Sequence, residues 1–231
     1  MNDVKLGLGL LSVGRPWGVR SVPPPSEKDA IALLQNAYKK GIRFFDTAPA
    51  YAASERLLGV FLAQFTSHPK ELTIATKMGE HWDLSSGSSR VSHTYADLTA
   101  SIDASIQYLG SIDILQVHKA NKDNVISKDV LKAIDYARSR GIQKFGASVS
   151  DMDAVNSACQ AGHYQYLQFP FNVNHTILQP AFQKANDHNV KILVNRPLAM
   201  GALVKEKHKE SILSKAFRFI LKQNFCGNIL M

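Results

Sequence analysis

The alternation that decides the fold is clearest at residues 113–148, which read DILQVHKANKDNVISKDVLKAIDYARSRGIQKFGAS. An apolar run predicts a strand over Asp113–His118, and apolar residues at helical spacing predict a helix over Lys128–Arg140. Gly141 ends this helix, and Lys144–Ser148 reads as a second strand. A strand, a long helix and another strand make a βαβ unit, in which the two strands run parallel.

The same alternation continues in both directions along the chain. The predicted strands are Lys5–Val13, Ile42–Asp46, Leu72–Lys77, Asp113–His118, Lys144–Ser148, Tyr166–Phe169, Lys191–Asn195 and Asn228–Met231. The predicted helices run from a capping-box-like Ser26 to Gly41, and over Ser54–Phe65, Thr94–Leu109, Lys128–Arg140, Asp151–Ala161, Gln179–Asn189 and Glu210–Gln223. This order predicts an α/β fold, a (β/α)8 TIM-type barrel forming a single domain over residues 1–231. An open doubly wound sheet is the alternative.

The composition is typical of a globular protein, with 45% hydrophobic and 20% charged residues in 231. No apolar run approaches the roughly 20 residues that span a bilayer. The first residues lack the basic flank and apolar stretch of a secretion signal. Cys159 and Cys226 are too few and too far apart for a disulfide framework or a zinc site. We therefore expect a cytoplasmic protein.

The net charge of +8 is compatible with nucleic acid, an anionic membrane or a phosphate-bearing cofactor as a partner. The charges are scattered, and the densest cluster, Lys205–Lys209, is short and contains Glu206. Most of the charge is thus expected on the solvated surface, with neither nucleic acid nor membrane bound. The eight histidines form no His-x-His or His-x-x-x-His pair, which argues against a metal hydrolase.

Polar residues stand where three consecutive predicted strands end. Asp46 ends the second strand, Lys77 the third and His118 the fourth, while Tyr51 lies in the loop after Asp46. Active sites of such barrels form at the carboxyl ends of the strands, so we expect these four side chains to share one cavity. Each residue alone also fits a structural role, as a helix cap, a solvated group or a packed ring. Only their combination predicts chemistry.

The segment Phe44–Gly59, FFDTAPAYAASERLLG, resembles the signature of the aldo-keto reductase family, in which Asp-Thr-Ala leads to a Tyr and then a Ser-Glu pair. Thr76-Lys77 and Gln116-Val117-His118 are similar to the lysine and histidine segments of that family, in the same order. The resemblance extends from Gly7 to the end of the chain. It implies reduction of an aldehyde or ketone by hydride from a nicotinamide cofactor.

The resemblance also implies a role for each residue. Tyr51 would protonate the carbonyl oxygen as the hydride arrives, with His118 hydrogen-bonding the same oxygen. Lys77, kept charged by Asp46, is expected to lower the pKa of the Tyr51 phenol. Glu55 is expected to act structurally, near the start of its helix.

The cofactor implied by the resemblance is NADPH, with NADH as the alternative. Ser148 and Gln168 match the positions that hold the nicotinamide amide, although Val149 stands where Asn is usual. Asn195-Arg196 replaces the Tyr that commonly stacks on the nicotinamide. Further cofactor contacts are expected from the loop after the seventh strand, at Arg196, Pro197, Leu198, Gly201 and Leu203. The candidate substrate-binding residues are Trp17 and Trp82.

The family pattern continues past the eighth strand with an adenosine-phosphate loop and a final helix, whereas this sequence stops at Met231. We therefore expect a barrel without its last helix and C-terminal cofactor loop, and an uncovered flank that favours a homo-oligomer. A small-molecule carbonyl compound is the expected partner. The alternative is a non-catalytic barrel of this family that binds a ligand or a protein without turnover.

Overall fold

The computed structural model describes residues 5–204 and 229–230, which contain ten strands and seven α-helices. The strands are β1 (Gly7–Gly9), β2 (Phe44–Asp46), β3 (Thr73–Met78), β4 (Glu80–Asp83), β5 (Ser88–Val91), β6 (Ile114–Ala120), β7 (Lys144–Val149), β8 (Tyr166–Pro170), β9 (Lys191–Asn195) and β10 (Ile229–Leu230). The helices are α1 (Leu11–Gly14), α2 (Glu27–Lys39), α3 (Ser54–Leu62), α4 (Tyr95–Leu109), α5 (Lys128–Ser139), α6 (Met152–Ala161) and α7 (Pro180–Asp187). None of the described helices is long and apolar enough to cross a membrane.

Eight of the strands form one parallel sheet, in the order β1-β2-β3-β6-β7-β8-β9-β10. Neighbours in this order are also successive parallel strands along the chain, and at least one α-helix lies between each pair from β1 to β9. The sheet curves into a nearly closed barrel, which confirms the predicted (β/α)8 class over the open sheet. β10 pairs with β9 through Ile229 and Leu230, inside the segment predicted as the eighth strand.

The core consists of two apolar clusters, which lie on opposite faces of the sheet. The larger joins the helices to the outer face of the strands. The smaller consists of five strand residues: Phe44, Ala75, Ile114, Tyr166 and Leu193. Side chains alternate across a strand, so residues two positions further on occupy the next layer of the same inner face. Those positions are the polar residues Asp46, Lys77, Gln116, Gln168 and Asn195.

The first predicted strand is wrong in its extent. Only Gly7–Gly9 forms a strand of the barrel, and the apolar run continues into helix α1, in which Val13 is buried together with the N-cap residue Leu10. The predicted N-terminal cap of α2 is confirmed, since the Ser26 hydroxyl accepts a hydrogen bond from the Asp29 amide at 3.2 Å. The other helix and strand limits differ from the predictions by up to three residues.

The stretch after β3 forms an antiparallel hairpin of β4 and β5. Gly79 precedes it with φ of +104°, where glycine is favoured. The turn between β4 and β5 is closed by Asp83, whose carboxylate accepts from the Ser85 amide and hydroxyl at 2.8 and 2.6 Å. The hairpin carries β4 against the Pro49–Tyr51 turn at the active-site end of the barrel. The predicted helix Glu210–Gln223, Cys226 and the basic cluster Lys205–Lys209 lie outside the described residues.

Candidate active site

The ammonium of Lys77 lies inside the barrel, with its side chain fully shielded from solvent. Its Nζ donates to both carboxylate oxygens of Asp46 at 2.8 Å and to the carbonyl oxygen of Thr47 at 2.9 Å. Gln116 Nε2 donates a further hydrogen bond to Asp46 Oδ1 at 3.1 Å. Burial is the largest single influence on the pKa of Lys77 and lowers it, but the charges of Asp46 and Tyr51 and hydrogen bonds to both raise it more when taken together, so the pKa of Lys77 is raised overall. Lys77 therefore keeps its positive charge at neutral pH.

Tyr51 ends the short 3-10 turn Pro49–Tyr51 that follows β2, which brings its ring over this ion pair. Lys77 Nζ lies 4.8 Å from the centroid of the Tyr51 ring. Burial of the phenol raises the pKa of Tyr51, the charge of Lys77 lowers it and that of Asp46 raises it. The net pKa lies above the ordinary value, so the expected net lowering is wrong. Lys77 acts in the expected direction, but desolvation of the hydroxyl outweighs it.

His118, on β6, faces Tyr51 edge-on, with ring centroids 5.9 Å apart and planes at 82°. Burial, and then the charges of Lys77 and Lys119, hold the pKa of His118 well below its usual range. The imidazole is therefore neutral. Its Nδ1 lies 3.0 Å from Glu80 Oε2, a contact between a carboxylate and a neutral ring that does not meet hydrogen-bond geometry. Lys119 Nζ, 3.7 Å from Glu80 Oε1, supplies positive charge to this carboxylate instead.

These side chains open onto a cavity of about 540 Å³ at the carboxyl ends of the strands. Its lining includes the following residues predicted from the sequence: Trp17, Asp46, Tyr51, His118, Ser148, Gln168, Arg196, Pro197, Leu198 and Gly201. Lys77 is not among the lining residues, but its ammonium contacts the ring of Tyr51, which is. Leu203 and Trp82 are not among the lining residues, although Trp82 packs against Arg15, which is.

The side of the cavity formed by β7, β8 and β9 carries uncharged polar groups. Ser148 and Gln168 stand directly opposite each other in the strand register. Asn195 Oδ1 is buried, with no hydrogen-bond partner among the described residues. A carboxamide, which donates and accepts, would satisfy such a set. This part of the site therefore fits the amide of a nicotinamide ring.

The loop after β9 has an unusual backbone that its surroundings hold in place. Arg196, Ala199 and Met200 have φ of +56°, +48° and +58°, values that cost energy for residues with a side chain. Asn172 Nδ2 donates to the carbonyl oxygen of Arg196 at 3.0 Å, and the Val19 amide donates to that of Met200 at 3.2 Å. Strained backbone of this kind is concentrated at ligand sites.

Sequence reasoning missed four residues that shape the site: Arg15, Glu80, Gln116 and Lys119. Gln116 could have been found, because it precedes His118 by two residues on one strand and so shares its face. The hairpin after Gly79 brings Glu80 close to Lys119. Nothing in the sequence indicates that these two residues are neighbours. Glu55 is structural, as expected, but through buried hydrogen bonds from the hydroxyls of Thr76 and Ser105 at 2.5 and 2.9 Å.

Comparison with known proteins identifies the family. The family model "Aldo/keto reductase family" matches residues 5–218. The chain belongs to the aldo/keto reductase family. It is 27% identical to L-galactose dehydrogenase from Arabidopsis thaliana, over 87% of this chain and 63% of that protein. It is 25% identical to versiconal hemiacetal acetate reductase from Aspergillus parasiticus, over 90% of this chain and 68% of the relative. The chain thus spans about two thirds of the length of these relatives.

Solved structures share the fold of this aldo/keto reductase chain. The Pseudomonas aeruginosa protein PA4992 superposes with a TM-score of 0.77 at 24% identity, covering 98% of this chain and 82% of that one. Aldo-keto reductase AKR11C1 from Bacillus halodurans, in its holo form, gives a TM-score of 0.75 at 20% identity over 89% of this chain and 66% of its own. At these identities the likeness concerns the barrel itself.

Proposed function

We propose that this aldo/keto reductase chain reduces aldehydes or ketones with NADPH or NADH, and that Tyr51 is the general acid. The observation that carries the proposal is the contact of the Tyr51 ring with Lys77, whose ammonium is buried in a salt bridge with Asp46. A fixed positive charge beneath a phenol stabilises the phenolate that forms when the phenol gives up its proton. Relatives named as dehydrogenases and reductases favour catalysis over the alternative of a non-catalytic binding protein.

Each residue of the site has a separate role in the proposed reduction of the carbonyl group. The nicotinamide, when bound, supplies the hydride to the carbonyl carbon. Tyr51 donates its proton to the carbonyl oxygen, and Lys77 stabilises the tyrosinate left behind. His118, being neutral, can donate a hydrogen bond to the same oxygen when its proton is on Nε2, and its ring packs against Tyr51 to limit where the oxygen can lie. Asp46 keeps Lys77 charged and in place.

For the cofactor, we assign the nicotinamide amide to Ser148 and Gln168, whose side chains stand opposite each other on adjacent strands. The phosphates are assigned to the loop of Arg196, Pro197, Leu198, Gly201 and Leu203 that follows β9. Trp17, which lines the same cavity, is assigned to the substrate. A fluorescence titration with NADPH and NADH, followed by absorbance decay with a generic aldehyde, tests the assignment. Tight cofactor binding without turnover of any aldehyde would favour the non-catalytic alternative.

The pH dependence of reduction is the first prediction. Because the pKa of Tyr51 is raised and that of His118 is depressed, neither group should change protonation in the neutral range. We expect kcat/KM for reduction to be level between about pH 7 and 9, and to fall only above the ordinary phenol pKa of about 10. Initial rates in buffers of constant ionic strength measure this. An alkaline fall centred well below pH 9 would contradict the described environment of Tyr51.

The second prediction concerns Gln168, which lines the cavity from β8. Gln168→Leu keeps the size of the side chain but removes both amide groups, so the nicotinamide amide loses a partner. We expect the Kd for NADPH to rise about 5- to 30-fold, the loss of one or two buried hydrogen bonds. Gln143→Leu, at an exposed position, is the matched control. Equal Kd values for Gln168→Leu and the wild type would remove Gln168 from the cofactor site.

A further inference from the structure

The guanidinium of Arg15 is held between the only two tryptophans of the chain, Trp17 and Trp82. Its Cζ lies 4.4 Å from the ring centroid of Trp82 and 5.9 Å from that of Trp17. Stacking on indoles favours a positive charge and fixes the plane of the guanidinium. Arg15 is half-buried and lines the cavity, so this oriented cation faces whatever enters.

The carboxylates of the cavity do not compensate this cation. Asp46 is engaged by Lys77, and Glu80 lies beside Lys119 and His118. Over residues 5–204, no carboxylate forms an ion pair with Arg15. In the same part of the chain, its Nε is buried and finds no hydrogen-bond acceptor.

A buried donor without a partner is unfavourable, so such groups usually meet an acceptor from water or from a ligand. The planar fork of a guanidinium matches the two oxygens of a carboxylate, or those of a phosphate, better than any neutral group. Arg15 also acts on the catalytic compartment itself. After burial, Lys77 and Lys119, its charge contributes to the depressed pKa of His118.

We propose that Arg15 binds the anionic group of the substrate, so that this enzyme prefers carbonyl compounds bearing a carboxylate or phosphate. The proposal rests on the function proposed above and adds the substrate class. The substrate's anion would lie at Arg15, in the aromatic wall of Trp17 and Trp82, while its carbonyl oxygen reaches Tyr51. The cofactor phosphates are the other source of an anion, and the experiment separates the two.

The first arm compares 4-oxobutanoate with its neutral methyl ester as substrates. We expect the wild type to prefer the carboxylate in kcat/KM by about 10- to 100-fold, the value of a hydrogen bond to a charged group. Arg15→Gln should reduce this preference to about threefold or less. Arg56→Gln removes the same charge from an exposed pair with Glu27 and should keep the wild-type preference. Equal specificity for acid and ester in the wild type would overturn the proposal.

The second arm measures binding without turnover. Because both tryptophans contact Arg15, intrinsic tryptophan fluorescence reports on this position directly. 4-Oxobutanoate should change the emission saturably in the wild type and in Arg56→Gln, but not in Arg15→Gln. Such a response without turnover of either compound would leave the anion site standing and refute the reductase function. If Arg15→Gln instead weakens NADPH binding tenfold and leaves the preference for the acid unchanged, Arg15 serves the cofactor and the proposal fails.

Discussion

Tyr51→Phe is expected to lower kcat for carbonyl reduction about 10²- to 10⁴-fold, the range attributed to a general acid. The substitution removes only the hydroxyl, so the ring can keep its contacts with Lys77 and His118. The Kd for NADPH should change little, because Tyr51 is assigned to the carbonyl oxygen. Single-turnover rates of NADPH oxidation, together with a cofactor titration, measure the two effects separately.

The control for this substitution is Tyr108→Phe, which removes a hydroxyl from a half-exposed tyrosine on α4. It should retain wild-type kcat and the same circular dichroism spectrum. If Tyr51→Phe kept even a tenth of the wild-type kcat, another group would be the proton donor. The proposed mechanism would then be wrong at its central step.

Lys77→Met is expected to abolish activity and also to destabilise the fold. Without the ammonium of Lys77, the mostly buried carboxylate of Asp46 keeps a single hydrogen bond among the described residues, from Gln116. An uncompensated buried charge of this kind costs about 3–5 kcal/mol in the free energy of unfolding. Urea unfolding followed by circular dichroism measures the loss, and NADPH oxidation measures the activity.

The double variant Lys77→Met with Asp46→Asn separates stability from catalysis. It removes both charges, so the free energy of unfolding should recover most of what the single variant loses. The activity should stay as low as in Lys77→Met, because no cation is left under Tyr51 to stabilise its anion. Unchanged stability in Lys77→Met would show that the pair is not desolvated as the structure describes.

The positions of the reactive groups could be predicted because the barrel repeats one local rule. Residues at the carboxyl end of each strand, two positions after an inward apolar residue, point into the barrel at the same end. Asp46 and Lys77 follow Phe44 and Ala75 in this way. The sequence pattern therefore placed the catalytic candidates before any distance was known.

The properties that depend on distances between strands could not be predicted in the same way. The sequence shows a lysine that can lower the pKa of Tyr51, but not the burial that raises it more strongly. The position of Glu80 beside His118 could not be predicted, because it depends on the turn at Gly79, where the backbone has a positive φ. The contact of Arg15 with Trp82 could not be predicted either, because the two residues are distant in sequence and adjacent only in the folded chain.

Strand β4 carries Glu80 and Trp82 two residues apart, hence on one side of its short ribbon. Glu80 lies against the imidazole of His118, and Trp82 lies against the guanidinium of Arg15. Insertion or deletion of one residue before β4 would turn Glu80 away from His118 and Trp82 away from Arg15 at once. Under the roles proposed for Arg15 and His118, a change in the length of this loop would alter substrate selection and the charge environment of His118 together, whereas point substitutions would alter each separately.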